Sequence, residues 1–325
     1  AFNVLAVVAT AFGVAASLGV GAAQINSGLH TVFGLPVGPT WQVGIIAVVT
    51  VLFVTSSVSG VARGVKLLSV GNLIAAAALA GVVFVLGPTV HIIDTFTNSL
   101  GGYASEFVRM SLRLTPFRDS SWVGSWTIFY WAWWLAWSPF VGLFIARVSR
   151  GRTIREFVLG VVIAPTLVAF LWFSIFGGAA LSLEIFQGAP LADVAAKDSS
   201  LALFAMLQQL PLATLTSIIG TLLVVVFFVT SGDSATLVLA TMSHGGAENP
   251  PHRSKIIWGV LIAGIAAALL LAGGVQAVQT ASIVFALPFT VVVVLMAVAL
   301  VRAIRADWEA DQKRQRALRR RMEQL

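Results

Sequence analysis

The sequence predicts an all-α polytopic membrane protein, and three observations carry that prediction. Only 10% of its 325 residues are charged, where a soluble globular domain carries roughly 25%. Hydrophobic residues make up 58% and the mean hydropathy is +0.95, which leaves too little polar surface for water. The apolar residues fall in blocks of about twenty, the helix length that crosses a hydrocarbon core of about 30 Å. Inside lipid every backbone N–H and C=O must be paired, so such blocks are helices. Strands of a membrane barrel would alternate in character over about ten residues, and these blocks do not.

Charge and cysteine narrow the class further. With no cysteine there are no disulfides and no thiolate metal sites. The net charge of +7 is spread through short loops and a tail, so membrane topology accounts for it better than nucleic acid. There is no initiator Met and no charged n-region before the first apolar block. Residue 1 therefore reads as neither a natural start nor a signal peptide, and the chain is expected to lack N-terminal helices.

Taken in order, the blocks give eight spans at about 1–23, 41–60, 67–87, 123–146, 157–181, 212–242, 256–273 and 278–301. Pro88–Trp122 carries Asp94, Glu106, Arg109, Arg113 and Arg118, is too polar to span, and is expected to hold an amphipathic helix at the interface. Glu184–Leu210, with Asp193, Lys197 and Asp198, is a second piece on the same side. Of the 20 Lys and Arg, 16 fall in one set of loops and the tail: Arg63 and Lys66; Arg147, Arg150, Arg152 and Arg155; Arg253 and Lys255; and eight from Arg302 to Arg321. The positive-inside rule puts those loops, and with them both chain ends, in the cytoplasm. The localisation expected is the bacterial inner membrane. The tail reads as a short basic amphipathic helix. Arg150, Arg152 and Arg155 in the loop, with Arg319, Arg320 and Arg321 in the tail, are its candidates for holding anionic lipid or for regulation.

The fourth span concentrates aromatic rings. Trp131, Trp133, Trp134 and Trp137 fall within seven residues, flanked by Trp126, Phe129, Tyr130 and Phe140. At 3.6 residues per turn, Phe129, Trp133, Trp137 and Phe140 share one face, and Trp126, Tyr130, Trp134 and Ser138 the next. Interfacial belts are the usual fate of membrane tryptophan, but Trp133 to Trp137 fall near the middle of the span. Buried indole N–H groups need partners. Indoles at the midplane suit a water-filled cavity for a cation that cannot donate hydrogen bonds and is held by ring faces. Ser138-Pro139, which removes a helical hydrogen bond, is expected to kink or open the helix there, as in transporters that bind substrate at broken helices.

The sixth span gathers Thr230, Ser231, Ser234 and Thr236 around Asp233. Such hydroxyls either ligate a cation together with carbonyls or bond back to their own helix, and composition leaves the two readings open. Asp233, the one clearly intramembrane ionisable side chain, is a functional flag, either as a gate or as a helix contact. Gly13, Gly19 and Gly21 allow close helix approach. His30, His91, His244 and His252 have no metal-motif spacing. No transition-metal site is expected. No histidine or lysine lies in a span to act as base for the Ser231–Asp233 pair, so an enzyme is not expected.

Several of these segments resemble the betaine–choline–carnitine transporters, and within that family the sodium-coupled glycine betaine carriers. They are Ser125-Trp126-Thr127-Ile128-Phe129-Tyr130-Trp131-Ala132-Trp133-Trp134, Trp137-Ser138-Pro139-Phe140, the loop from Ala146 to Phe157, Trp172-Phe173-Ser174-Ile175-Phe176-Gly177-Gly178, and Phe227-Phe228-Val229-Thr230-Ser231-Gly232-Asp233-Ser234. The resemblance implies a LeuT-like inverted-repeat core, incomplete here. Residues 1–87 would be the last three helices of the first repeat, 88–122 the interfacial helix, 123–304 the complete second repeat and 305–325 the basic tail. It implies a substrate box of Trp133, Trp134, Trp137 and Phe129 with Phe140 beside it. One sodium site would use Thr230, Ser231 and the carbonyl of Phe227. Thr10 matches a second sodium site, but Val14, one turn on, offers no oxygen where sodium-coupled members can carry threonine; Ser17 or a carbonyl could replace it. The expected function is symport of a quaternary-ammonium compound, glycine betaine driven by sodium, with sodium as coupling ion and no other cofactor. The alternatives are a proton-coupled choline or carnitine carrier, or a non-transporting membrane scaffold. A homotrimer and osmotic control follow from the resemblance alone.

Overall fold

The computed structural model describes residues 2–59, 62–117, 122–247 and 249–322. Its elements are α1 (Phe2–Phe33), α2 (Pro39–Ser59), α3 (Ala62–Leu86), α4 (Thr89–Ser111), a π-helical turn (Val123–Ile128) leading into α5 (Phe129–Val148), α6 (Ile154–Gln187), short α7 (Leu191–Lys197) and α8 (Ala202–Leu207), α9 (Ala213–Ser243) and α10 (His252–Met322). Seven of the described helices are long and apolar enough to cross a membrane. The last of them is two helices. Gly273 and Gly274 interrupt it, Gly274 at φ 64° and ψ −155°, a backbone conformation open in practice only to glycine. The protein is therefore a multi-pass membrane protein, with eight long apolar helical stretches among the described residues, as the hydropathy pattern predicts.

Boundaries differ from the sequence reading in an instructive direction. Hydropathy places the first span at 1–23 and the fifth at 157–181, yet α1 runs to Phe33 and α6 from Ile154 to Gln187. Hydropathy ends where the bilayer core would end, whereas helical hydrogen bonding continues until something stops it. Thr153 starts α6 with a capping box to Glu156, and Gly188 ends it at φ 68°. The tail is likewise no separate helix: it prolongs α10 to Met322.

Small residues decide how the helices pack. In α1 a Cβ at Gly13 would meet Ala136 of α5, one at Gly19 would meet Val278 of α10, and one at Gly21 the Phe228 ring of α9. Close approach of this kind drives helix association where lipid gives no hydrophobic incentive. So α1 becomes the central helix, buried along most of Ala9–Gly28, with Phe12 stacked on Phe285 at 3.6 Å. A second core joins α3, α4 and α6 to the short helices α7 and α8, through Leu79, Val83, Ile92, Leu183 and Leu207.

Two groups of polar contacts mark opposite ends of the bundle. Lys255 Nζ donates to the Ser57 carbonyl at 3.1 Å, and Asn3 to the Met242 carbonyl at 3.2 Å. At the other end Ser27 and Ser200 share a hydrogen bond of 2.7 Å, and Glu184 accepts from the N–H groups of Leu191 and Ala192 at the start of α7. The polar segment after α3 forms α4, which lies against α6. There Gly178 admits Thr95, and His91 bonds Ser182 at 2.7 Å while stacking on Phe186.

Candidate functional site

The aromatic span is the best-formed site. The fourth predicted helix begins as a π-turn at Val123 and continues as α5 without a break through Pro139. The helix, expected to kink or open at Ser138-Pro139, does not open there. Proline deprives the Leu135 carbonyl of its helical donor, and the Ser138 hydroxyl supplies that bond instead at 2.8 Å. The irregularity sits one turn before the tryptophans, in wide π geometry that often marks functional sites.

Trp133 to Trp137 are the eleventh to fifteenth residues of a 24-residue apolar stretch, about 15–21 Å along its axis at 1.5 Å per residue. Tyr130, Trp133, Trp134 and Trp137 line an open hollow of about 270 Å³ along one side of α5, with Trp134 68% exposed. Phe129 stacks on Trp133 with centroids 5.2 Å apart, Tyr130 meets Trp133 nearly edge-on at 5.8 Å, and Phe140 stands edge-on to Trp137 at 5.2 Å. Phe129 and Phe140 are buried, backing the indoles without lining the hollow. Tyr130, which the sequence places on the neighbouring face, belongs to the lining.

One residue outside the expected box organises it. Ser17 of α1 accepts from the Trp133 Nε1 at 3.0 Å and from the Trp137 Nε1 at 2.9 Å, and donates to the Gly13 carbonyl at 3.1 Å. A serine hydroxyl has one proton and two lone pairs, so all three are used and none remains for an ion. Ser17 is thus an anchor for two indoles, and not the substitute oxygen considered for the missing threonine at Val14. The signal for it lies in the unmet demand of midplane indole N–H groups, which requires an acceptor on a neighbouring helix, but periodicity cannot say which one.

The oxygen-rich sites are less assembled. Thr230 Oγ1 donates to the carbonyls of Val226 and Phe227 at 2.9 and 3.2 Å, and Ser234 donates to the Thr230 carbonyl. The backbone around Phe227, Thr230 and Ser231 is continuous helix. In this conformation the Thr230 and Ser234 hydroxyls bond back to their own helix. Thr10 is different: it is fully buried, and its hydroxyl has no hydrogen-bond partner. A buried polar atom left unpaired calls for an explanation, and Val14 beside it on the next turn is 2% exposed and apolar. Among the described residues no group of three or more His, Asp or Glu forms a metal cage.

Asp233 makes a helix contact. Ser56 of α2 donates to it at 3.3 Å, Thr236 bonds Ser57 at 3.1 Å, and Lys255 holds the carbonyl of the same Ser57. Arg150, Arg152 and Arg155 are exposed around the α5–α6 turn, and the side chains of Arg319, Arg320 and Arg321 lie outside the described residues.

With this geometry in view, the family of betaine/carnitine/choline transporters matches residues 1–309. The chain belongs to that family. The fold of that family is LeuT-like, and the chain is 47% identical to an ectoine/hydroxyectoine transporter of Virgibacillus pantothenticus over 96% of this chain and 62% of that protein. It is 48% identical to the glycine betaine transporter OpuD of Bacillus subtilis, over 94% of this chain and 59% of that protein. A glycine betaine/proline/choline transporter of Vibrio parahaemolyticus is 43% identical over 93% of this chain and 54% of its own length. The chain thus spans between half and two thirds of the length of these relatives.

Proposed function

We propose that this chain supplies the aromatic substrate site of a secondary transporter for quaternary-ammonium solutes, with glycine betaine as its substrate and sodium as its coupling ion. The observation that carries this reading is the open aromatic hollow on α5 lined by Tyr130, Trp133, Trp134 and Trp137. A trimethylammonium group offers no N–H to a hydrogen-bond acceptor, and ring faces attract it at about 0.5–2 kcal/mol per contact. With their N–H edges tied to Ser17, Trp133 and Trp137 are fixed in orientation before a ligand arrives, which lowers the entropy cost of binding. The unpartnered Thr10 hydroxyl and the Thr230–Ser231 region are where sodium ligation is proposed. Both chain ends are assigned to the cytoplasmic side of the inner membrane by the distribution of Arg and Lys.

In proteoliposomes, titration of tryptophan fluorescence with glycine betaine tests the site. Trp133→Ala and Trp137→Ala should each weaken binding by about 1–2 kcal/mol, roughly five- to thirtyfold. Glycine, which lacks the methyl groups, should not compete. Unaltered affinity in both variants, or equal binding of glycine, defeats the assignment. The proton-coupled choline or carnitine reading is separated by repeating the titration with and without sodium.

A further inference from the structure

A groove of about 470 Å³ runs along the other side of α5, between that helix, the part of α10 around 283–290 and the chain leaving α4. Its walls are almost wholly apolar: Leu114, Ile128, Trp131, Ile283 and Leu287 face it. The Thr290 hydroxyl at its edge is spent on the Ala286 carbonyl. Beneath it the two helices meet through Ala132, Ala136 and Ala286, so the groove has a floor. Along α5 it extends from Thr127 to Leu135, about 12 Å of helix rise. Among the described residues, the cation that lines it is Arg113, on the chain that follows α4. Arg109, one turn earlier, is already paired with Glu106.

We propose that this groove holds one anionic phospholipid, its phosphate against Arg113 and an acyl chain between α5 and α10. The two halves of the groove fit the two halves of that molecule. An apolar channel reaching into the hydrocarbon layer has nothing to offer a water-soluble ligand, and a guanidinium at its rim meets a phosphate bidentately at headgroup level. This site is at the end of the bundle away from the arginine-rich turns, so it is separate from lipid contacts of Arg150, Arg152 and Arg155. It also touches the aromatic helix. Trp131 faces the groove while Trp133 and Trp134 face the hollow on the same helix, so the occupant helps fix where α5 stands against α10.

The test reconstitutes the full chain in bilayers of phosphatidylcholine with graded phosphatidylglycerol and counts tightly retained lipids by native mass spectrometry. Wild type should retain one phosphatidylglycerol more than Arg113→Gln, whose preference over phosphatidylcholine should fall about fivefold, the factor one arginine contributes near an anionic surface. Leu287→Trp, at a side chain 72% exposed where a larger group is tolerated, should displace the lipid by filling the groove. Circular dichroism checks that both variants keep their helices. A double Arg152→Gln, Arg155→Gln variant should keep the groove lipid. Unchanged retention in Arg113→Gln or Leu287→Trp overturns the proposal, as does loss of the lipid in the double variant. Cross-linking of a second copy of the chain through Leu287 would also overturn it.

Discussion

Ser17 has a single hydroxyl and uses every part of it, accepting from two indoles and donating to a carbonyl one turn back. Removing it leaves the Trp133 N–H without that acceptor, while Trp137 keeps a bond of 3.2 Å to the Gly13 carbonyl. An unmet buried donor costs about 1–3 kcal/mol, and the rings would turn to find another partner. Ser17→Ala is therefore expected to weaken glycine betaine binding about tenfold, with the larger disturbance at Trp133. Ser17→Thr, which retains the oxygen, should recover most of the loss. The readout is the same fluorescence titration; equal losses in Ala and Thr variants would point to packing and away from the hydrogen bonds. Val14 carries the complementary lesson. A side chain without oxygen on the turn after Thr10 was visible in the sequence, but that the Thr10 hydroxyl is sealed from water and unpaired was not.

Between elements, one close fit is the junction of α2, α9 and α10. Phe53 is fully buried, and its ring lies where Cβ atoms at Gly232 and Gly259 would be, 2.5 and 3.2 Å away. At Gly232 three ring atoms lie within 3.0 Å, so the whole ring, not its tip, would have to move. Gly232→Ala should destabilise the chain by about 1–3 kcal/mol through overpacking, seen as a lower midpoint in thermal unfolding in detergent. Adding Phe53→Leu should return part of that loss, because residues in contact do not act additively. The same junction holds Asp233, so the acid flagged by its depth in the membrane has a structural partner in Ser56. At the level of elements the Ser138-Pro139 pair also finds its explanation: one residue removes a hydrogen bond and its neighbour restores it, and α5 stays continuous.

Across the whole molecule, coupling requires that sodium and substrate each favour the same state of the protein, and such coupling is reciprocal. The Thr230 hydroxyl, which now bonds to its own helix, would have to turn to reach an ion. Thr230→Val and Ser231→Ala are expected to raise the sodium concentration needed for half-maximal glycine betaine binding by about tenfold. Affinity at saturating sodium should change little. If sodium has no influence in the parent protein, the sodium part of the proposal falls while the aromatic hollow stands. A Thr10→Val variant adds a separate measure: if its hydroxyl awaits an ion, sodium dependence weakens; if not, removing an unpaired buried oxygen should raise thermal stability by about 1 kcal/mol.

By itself the sequence determined the membrane class, the spacing of the helices and the clustering of four tryptophans at mid-depth. Each of these depends on composition and on the 3.6-residue repeat, which are local properties. Its motifs also carried the family. Tertiary structure alone decided that Ser17 serves two indoles 116 and 120 residues away, that Phe53 nests against two glycines of other helices, and that a groove with Arg113 at its rim lies behind Trp131. Partners for buried donors, and the space between helices, depend on which faces meet. In lipid that choice is made by the fit of small residues such as Gly13, Gly19 and Gly232, whose partners no local pattern names.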